Sequence, residues 1–340
     1  MAAMVLAGDE YPLLPVGWLF LCAPAIERML GEADGSEECR APARAWAKRL
    51  APWTWLPVQL MLIAAGMEVA RSVPGPLGAA VAAIPLGMLS GIFGMAAAHE
   101  LMHRSGLGRI SAGLMLASWG YGHFLVEHLQ GHHRRVGTSE DPASARQGES
   151  VYAFIPRSVF GGLRSALQLE LERLTRQGRH RCGLHNRMLL PIAMSAIFLF
   201  IFGSAAGTRG AAFFVVHCAT VIWILEVMNY VQHYGLRRSN MRTRVAACHA
   251  WDCRSKLTNW WLFDLGLHVD HHLSPQDLDS NSAAGHDAPR LPAGYFAMFA
   301  LALLPPLWFL VMDPRVELVR RRLGLGLEPF PAQRLEKEPV

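Results

Sequence analysis

The feature that most constrains this chain is a series of apolar segments, each close to the length that a helix needs to cross a bilayer. A crossing takes about 20 consecutive apolar residues. Tight turns rich in Pro and Gly separate neighbouring segments at 74–76 and at 207–210. Only 17% of the residues are charged, a share below that of soluble domains. The sequence therefore predicts an all-α, polytopic integral membrane helical bundle with spans at 11–30, 53–73, 76–98, 187–207 and 211–233.

Three other regions are apolar or amphipathic without predicting a straight span. The stretch 293–313 contains Pro305 and Pro306, which favours a peripheral or re-entrant segment. The arginine-rich part of 140–186 predicts a helix at the lipid headgroups, or alternatively a docking patch for an acidic partner. The polar residues 327–340 predict a disordered tail. Residues 1–326 then form a single membrane domain.

The distribution of basic residues predicts the orientation of the bundle. Eleven arginines fall in 99–186, whereas no Lys or Arg precedes Arg28. Positive charge marks cytoplasmic loops. We therefore expect 99–186 and 234–326 to be cytoplasmic and the N-terminus to lie outside. Basic cytoplasmic loops also account for the sequence pI of about 9.0, which therefore does not indicate nucleic-acid binding.

Histidines cluster in the regions that are expected to be cytoplasmic. On helices, residues three or four apart share a face, so each cluster can direct several imidazoles to one place. Nine imidazoles exceed the six that an octahedral metal accepts, and nitrogen ligation favours iron over magnesium or calcium. The pattern predicts two metal ions with four or five ligands each, drawn from His99, His103, His128, His132, His133, His233, His268, His271 and His272.

The apolar segment 107–126 joins two of these clusters. A membrane crossing there would separate His103 from His128 by about 30 Å. We therefore expect this segment to form a helix that lies on the cytoplasmic side. Read alone, the sequence from His99 to His103 is also the signature of a zinc metalloprotease, so an intramembrane protease is an alternative of another class. A metal transporter with a histidine relay is a third.

Four ordered motifs resemble those of membrane-bound non-haem di-iron hydroxylases, and most closely the alkane 1-monooxygenase family. The family patterns are HELxHK, EHxxGHHxxVxTxxDPAxxR, NYxEHYGL and HxDHH. The corresponding stretches here are HELMHR, EHLQGHHRRVGTSEDPASAR, NYVQHYGL and HVDHH. Arg104 replaces the family's lysine, Gln232 replaces its glutamate, and the chain has one predicted span fewer before the first motif than is usual.

The resemblance implies a specific activity and its cofactors. Two non-haem irons, held by the nine histidines in a cytoplasmic cap, would use O2 to hydroxylate the terminal methyl group of a medium- or long-chain alkane. No catalytic side chain is expected beyond this centre. Electrons would come from a rubredoxin- or ferredoxin-type carrier and its NAD(P)H-dependent reductase, and the chain's lack of any CxxC pair agrees with a separate carrier. The substrate would enter from the lipid of a bacterial inner membrane.

Several residues near the motifs are expected to orient the histidine ligands through hydrogen bonds. Because glutamine occupies the position of Gln232 in xylene-type methyl hydroxylases, an aryl-methyl substrate is an alternative to an alkane. Fatty-acid desaturation or hydroxylation is a more distant one. The predicted orienting residues are Glu100, Glu127, Asn229, Gln232, Asp270, His123 and His249.

Overall fold

The computed structural model describes residues 14–33, 48–239, 241–273 and 288–323. Regular structure within these ranges is helical, apart from two isolated bridges, which confirms the predicted all-α class. The helices are α1 (Leu14–Leu30), α2 (Trp55–Ser72), α3 (Gly75–Met102), α4 (Leu107–Ser118), α5 (124–135), α6 (Val151–Arg176), α7 (Leu189–Ala206), α8 (Thr208–His233), α9 (Lys256–Trp261), α10 (His268–Leu273), α11 (Tyr295–Ala302) and α12 (Pro305–Arg322).

Four helices among the described residues are long and apolar enough to cross a membrane, namely α2 with the turns before it, α3, α7 and α8. They correspond to four of the five predicted spans. The fifth, 11–30, is described only from Leu14, where it forms the 17-residue helix α1. The predicted tail 327–340 lies outside the described residues.

Two turns lie together at the end of the bundle that is remote from the histidines. The Arg71 guanidinium donates to the Ala205 carbonyl at 3.3 Å, and Arg209 donates to the Arg71 carbonyl at 2.9 Å. At the other end of the bundle, α3 and α8 both finish in histidines. There the Glu27 carboxylate, near the end of α1, accepts a hydrogen bond from Ser255 at 3.0 Å. All the histidine-bearing elements therefore meet at one end of the bundle.

Helices α3 and α8 form the centre of the bundle because glycines allow their backbones to approach closely. A Cβ atom on Gly87 would lie 3.0 Å from the His217 carbonyl oxygen. On Gly91 it would lie 3.3 Å from the Val221 Cα. Small residues at such contacts let helices pack tightly where the surrounding lipid supplies no hydrophobic drive. This contact fixes the position of His99 relative to His233.

Segment 107–126 keeps His103 and His128 at the same end of the bundle, as predicted, and folds back on itself between them. Gly106 has a positive φ of 61°, and after this turn α4 runs back along α3. Ser118 reaches the Gln59 side chain at 3.3 Å and the Cys218 sulfur at 3.9 Å. Cys218 precedes His233 by 15 residues, or about 22 Å of helix.

This segment is therefore a re-entrant hairpin that returns to the histidine end of the bundle, and its placement on the cytoplasmic side stays a prediction. The physical reason for the hairpin is that one face of α4 is apolar and buried against α3 and α7, at Ala112, Met115 and Leu116. The polar backbone at its inner end is satisfied by protein, since the Ser195 hydroxyl donates to the Ala117 carbonyl at 2.8 Å. Non-helical backbone is tolerated at membrane depth where protein surrounds it in this way.

The structure bears on one of the two remaining apolar or amphipathic regions, the stretch 293–313. The chain breaks between α11 and α12 just before Pro305 and Pro306, so 293–313 is not a straight span. Helix α6 begins at a Ser150 cap and buries one face over the histidine end of the bundle. Its outer face exposes Tyr152, Phe160 and Leu167. Placement of α6 at the headgroups stays a prediction.

Candidate metal centre

Eight histidines form two groups of four, and within each group the ring nitrogens lie within 4.8 Å of one another. The first group is His99, His103, His128 and His271, and the second is His132, His233, His268 and His272. Of these eight, His103 and His271 are partly buried and the other six are buried. The fold thus brings all four sequence clusters into one place.

The ninth histidine, His133, joins the first group. Its Nε2 atom lies 3.0 Å from Nε2 of His128 and 3.1 Å from Nε2 of His271. In the second group, His268 Nε2 lies 3.1 Å from Nε2 of both His233 and His272. Two imidazoles at right angles around one metal, each at about 2.1 Å, would have nitrogens about 3.0 Å apart. The measured separations match that arrangement.

Local helix geometry explains how neighbouring histidines reach different groups. Residues Glu127–His132 form a π-helical turn, whose i→i+5 hydrogen bonds bring residues five apart onto one face. His128 and His133 therefore face the first group, while His132 faces the second. In α10, His268 and His272 are one turn apart and face the second group, whereas His271 faces the first. Two short helical segments thus supply ligands to both groups.

The charge state of the rings suits metal binding. Burial lowers the pKa of His103 to about 4 and lowers the pKa of His128 and His133 well below the ordinary value, so these rings are neutral. The Nε2 atoms of His99 and His132 are buried and make no hydrogen bond. Convergent neutral nitrogens with free lone pairs are what a transition metal binds. The donor set fits two metal ions with nitrogen ligands.

Asp141 is a carboxylate partner of the second group. Its Oδ2 atom lies 2.9 Å from His132 Nδ1, and Ser144 donates to the same carboxylate at 2.6 Å. Burial by itself would raise the pKa of Asp141, but His132 and Ser144 outweigh it and hold the pKa at about 2. The ionised carboxylate fixes the His132 ring with Nε2 towards the group. Asp141 is not among the orienting residues predicted from the sequence, although it belongs to the DPASAR stretch of the second motif.

Three acidic residues that were expected to orient histidines are placed beside the centre in other ways. Glu100 pairs with Arg104 at 3.1 Å, and Glu127 pairs with Arg135 at 2.8 Å. Asp270 is buried within α10. The structure therefore places the first two in ion pairs that brace the helices carrying the ligands.

The four other residues that were predicted to orient histidines lie at the cavity wall or in turns. Gln232 donates to the Tyr295 hydroxyl at 2.9 Å and lines the large cavity described below, as Asn229 does. His123 packs on Tyr121 with ring centroids 4.4 Å apart. His249 accepts a hydrogen bond from the Ala246 amide at 2.9 Å, within its own turn. Sequence reasoning missed Tyr295 because it is remote from every motif.

A large apolar cavity ends on the histidines. It has a volume of about 760 Å³, including the space at its mouth, and reaches His99, His128 and His268. Its other end is at Met88, 11 residues before His99 and therefore about 16 Å along α3. Hydrocarbon side chains from α1, α3, α8 and α11 form most of the wall, including Phe20, Ile92, Met95, Ile224, Phe296 and Phe299.

Comparison with known proteins shows which family and which proteins this chain is similar to. The family model described as fatty acid desaturase matches residues 74–302. The chain is 35% identical to alkane 1-monooxygenase 2 of Pseudomonas aeruginosa over 91% of its own length and 85% of the relative's. It is 36% identical to alkane 1-monooxygenase 2 of Alcanivorax borkumensis over 91% and 84%. It is 29% identical to the xylene/toluene monooxygenase hydroxylase component of Pseudomonas putida over 75% and 69%.

Proposed function

We propose that this chain, which belongs to the alkane 1-monooxygenase family within the fatty acid desaturase-like proteins, hydroxylates the terminal methyl group of a medium- or long-chain alkane. Membership of this family confirms the resemblance that the four motifs indicate. The chain is therefore a multi-pass membrane monooxygenase. The observation that carries the proposal is the apolar cavity that ends on His99, His128 and His268.

The cofactor that we propose is a pair of non-haem irons, one in each histidine group. The first would be held by His99, His103, His128, His133 and His271, and the second by His132, His233, His268 and His272. When bound, the two irons supply the O2 activation that an unactivated C–H bond requires. The chain's contribution is to hold the nine rings so that they converge and to shield them from water.

The cavity wall supports an alkane as the substrate. Its side chains next to the histidines are mainly hydrocarbon and offer little to recognise a polar headgroup, so burial of the apolar chain is the main source of binding. One end of the chain would lie beside His99 while the rest extends along α3 towards Met88. A substrate that dissolves in the bilayer could enter between the helices without passing through water. Exclusion of water at the site also protects the reaction from side products.

The electron donor that we propose is an external carrier of the rubredoxin or ferredoxin type, supplied by an NAD(P)H-dependent reductase. The sequence has no CxxC pair that could hold such a cluster itself. We propose that the histidine end faces the cytoplasm of a bacterial inner membrane, where a soluble carrier could reach it. The basic residues of 99–186 support this orientation.

The decisive experiment combines metal analysis with product analysis. Purified protein should contain about two irons per chain, whereas a single zinc would favour the protease alternative. Membranes with a rubredoxin and its reductase should convert octane or hexadecane to the 1-alkanol. Formation of a benzylic alcohol from p-xylene with no alkanol would overturn the assignment of substrate.

A matched pair of variants tests the role of the cavity. Ile92→Trp would fill the cavity about two helical turns before His99, and we expect it to reduce alkanol formation while iron content is retained. Ile84→Trp is the control. Ile84 lies about two turns further from His99 on the same helix, is also partly buried and does not line the cavity. Equal turnover by both variants would show that the substrate does not use this cavity.

An aryl-methyl substrate is a second candidate because of one residue. Gln232, where the family pattern has glutamate, donates to Tyr295 at the histidine end of the cavity. The pair leaves a neutral polar group beside the reacting position. If this residue sets the preference, Gln232→Glu should raise the ratio of octanol to p-methylbenzyl alcohol. An unchanged ratio would remove the support for this candidate.

A further inference from the structure

Glu226 is an acidic residue inside a candidate membrane span that belongs to neither histidine group and forms no ion pair among the described residues. It lies in α8, seven residues before His233, and is only 1% exposed. An ionisable side chain within a membrane span is costly to bury and usually has a function. Glu226 faces the interior of the bundle and not the lipid, since its contacts are with α5, α6 and the end of the re-entrant hairpin.

The groups around the Glu226 carboxyl are neutral and can exchange protons or hydrogen bonds. The Tyr121 hydroxyl donates to Oε1 at 2.6 Å. The Asn229 amide lies 3.4 Å from Oε2. Ser158 is a further hydrogen-bonding neighbour. Tyr121 lies in the returning arm of the hairpin, so the fold brings a phenol and a carboxyl together across 105 residues of sequence.

These residues line a second, smaller cavity beside the second histidine group. Its volume is about 280 Å³ including its mouth, and Glu226, Tyr121 and Asn229 form one wall. The titratable side chains that share it are His123, Glu127 and the ligand His132. The Nε2 atom of His123 is buried and has no hydrogen-bond partner, and its ring rests on Tyr121.

Asn229 joins the two cavities. Its side chain lines the smaller cavity and also the large apolar one, as Phe124 does. Hydrogen bonds therefore connect Tyr121, through Glu226, to Asn229 at the wall of the substrate cavity. The apolar cavity itself is walled mainly by hydrocarbon and would conduct protons poorly.

We propose that Glu226, with Tyr121 and Asn229, forms a proton relay that supplies the site where O2 is reduced. The proposal rests on the proposed function. Hydroxylation converts an alkane, O2, two electrons and two protons into an alkanol and water. One oxygen atom enters the C–H bond, and the other leaves as water after taking up the two protons. Glu226 would release its proton towards the substrate cavity, on the side where the Asn229 amide hydrogen-bonds the carboxyl. It would regain a proton from the Tyr121 hydroxyl, which is in turn reprotonated from bulk water.

A purely structural role for Glu226 is the alternative that the experiment must exclude. The Tyr121–Glu226 hydrogen bond also ties the hairpin to α8, so loss of activity alone would not identify a relay. The first measurement therefore uses metal-free protein and does not depend on turnover. Infrared difference spectra in H2O and D2O should show the C=O band of a protonated carboxyl that Glu226→Gln removes and Tyr121→Phe shifts. Thr220→Val, which removes a hydroxyl from the same helix, should leave the band unchanged.

The second measurement follows the fate of O2 in the iron-loaded enzyme with octane as the probe. Glu226→Gln should lower turnover by about 100-fold, as expected for loss of a positioned proton donor. More of the consumed O2 should then appear as hydrogen peroxide, and the solvent deuterium isotope effect on turnover should increase. Glu226→Asp, which keeps an acid, should restore part of the turnover. Thr220→Val should match the wild type in every readout.

The outcomes separate the relay from the proposed function. Absence of the infrared band, or wild-type peroxide release and isotope effect in Glu226→Gln, would overturn the relay even if octanol is formed. If Glu226→Gln does not fold, the relay is tested with Tyr121→Phe and Glu226→Asp. Wild-type isotope effects in both of these variants would also overturn the relay. Failure of the wild-type protein to oxidise any alkane would overturn the proposed function, while the infrared band still tests the carboxyl.

Discussion

Replacing Asp141 by alanine should weaken metal binding at the second histidine group and leave the first group intact. Asp141 touches His132 alone among the nine histidines, through the 2.9 Å contact with Nδ1. Without the carboxylate, the His132 ring loses the partner that fixes its tautomer and its direction. The side chains of both residues are almost wholly buried, so water cannot readily replace the bond.

The size of the effect follows from this contact. A buried hydrogen bond to a charged group is worth about 1.5–3 kcal/mol, and loss of such a partner lowers metal affinity by about 10–100-fold. Asp141→Asn keeps an oxygen that can accept from Nδ1 but loses the charge, so about tenfold is expected. Asp141→Ala should approach 100-fold. Ser144→Ala removes the hydroxyl that donates to the same carboxylate and should have a smaller effect than either.

The assay is competition between the protein and a chelator of known affinity, with iron per chain counted at each step. The wild type should release two irons, and the Asp141 variants should release one of them at lower chelator concentration. Glu170→Gln is the matched control, because Glu170 is another buried, hydrogen-bonded carboxylate but binds Arg173 and lies outside both groups. If Asp141→Ala released both irons with wild-type affinity, or if Glu170→Gln weakened binding equally, the assignment of Asp141 would be refuted.

Three further predictions concern the same structure. His132→Ala and His103→Ala should each lower iron from about two per chain to about one, with turnover reduced at least about 100-fold, as measured by metal analysis and octanol formation. Removing metal with a chelator should lower the unfolding temperature in detergent by about 10 °C. The reason is that a metal present at 1,000 times its Kd stabilises the fold by about 4 kcal/mol. An unchanged temperature would contradict metal binding by the folded chain. Burial raises the pKa of Asp252 to about 7, so its ionisation should cost stability as the pH rises from about 4 to 7, by up to about 4 kcal/mol. Asp252→Asn should abolish that decline in thermal unfolding measured at pH 5 and pH 7.5.

Local patterns in the sequence were enough to predict the class of fold and the histidines that come together. The length of an apolar run and the i, i+4 spacing of His99 and His103 depend on helix geometry alone, which every helix shares. The family motifs added the expectation of two irons. Four of the five predicted spans correspond to helices that are long and apolar enough to cross a membrane. The fifth is only partly within the described residues.

Tertiary structure decided which histidine goes to which group and what surrounds it. His132 and His133 are adjacent in sequence, and only the π-helical turn directs them to different groups. The re-entrant course of 107–126 depends on whether α3 and α7 offer a surface for its apolar face, which hydropathy does not record. Asp141 and Glu226 acquire their roles through contacts with His132 and Tyr121, nine and 105 residues away. Periodicity reports one element at a time, whereas these contacts exist only after separate elements have packed together.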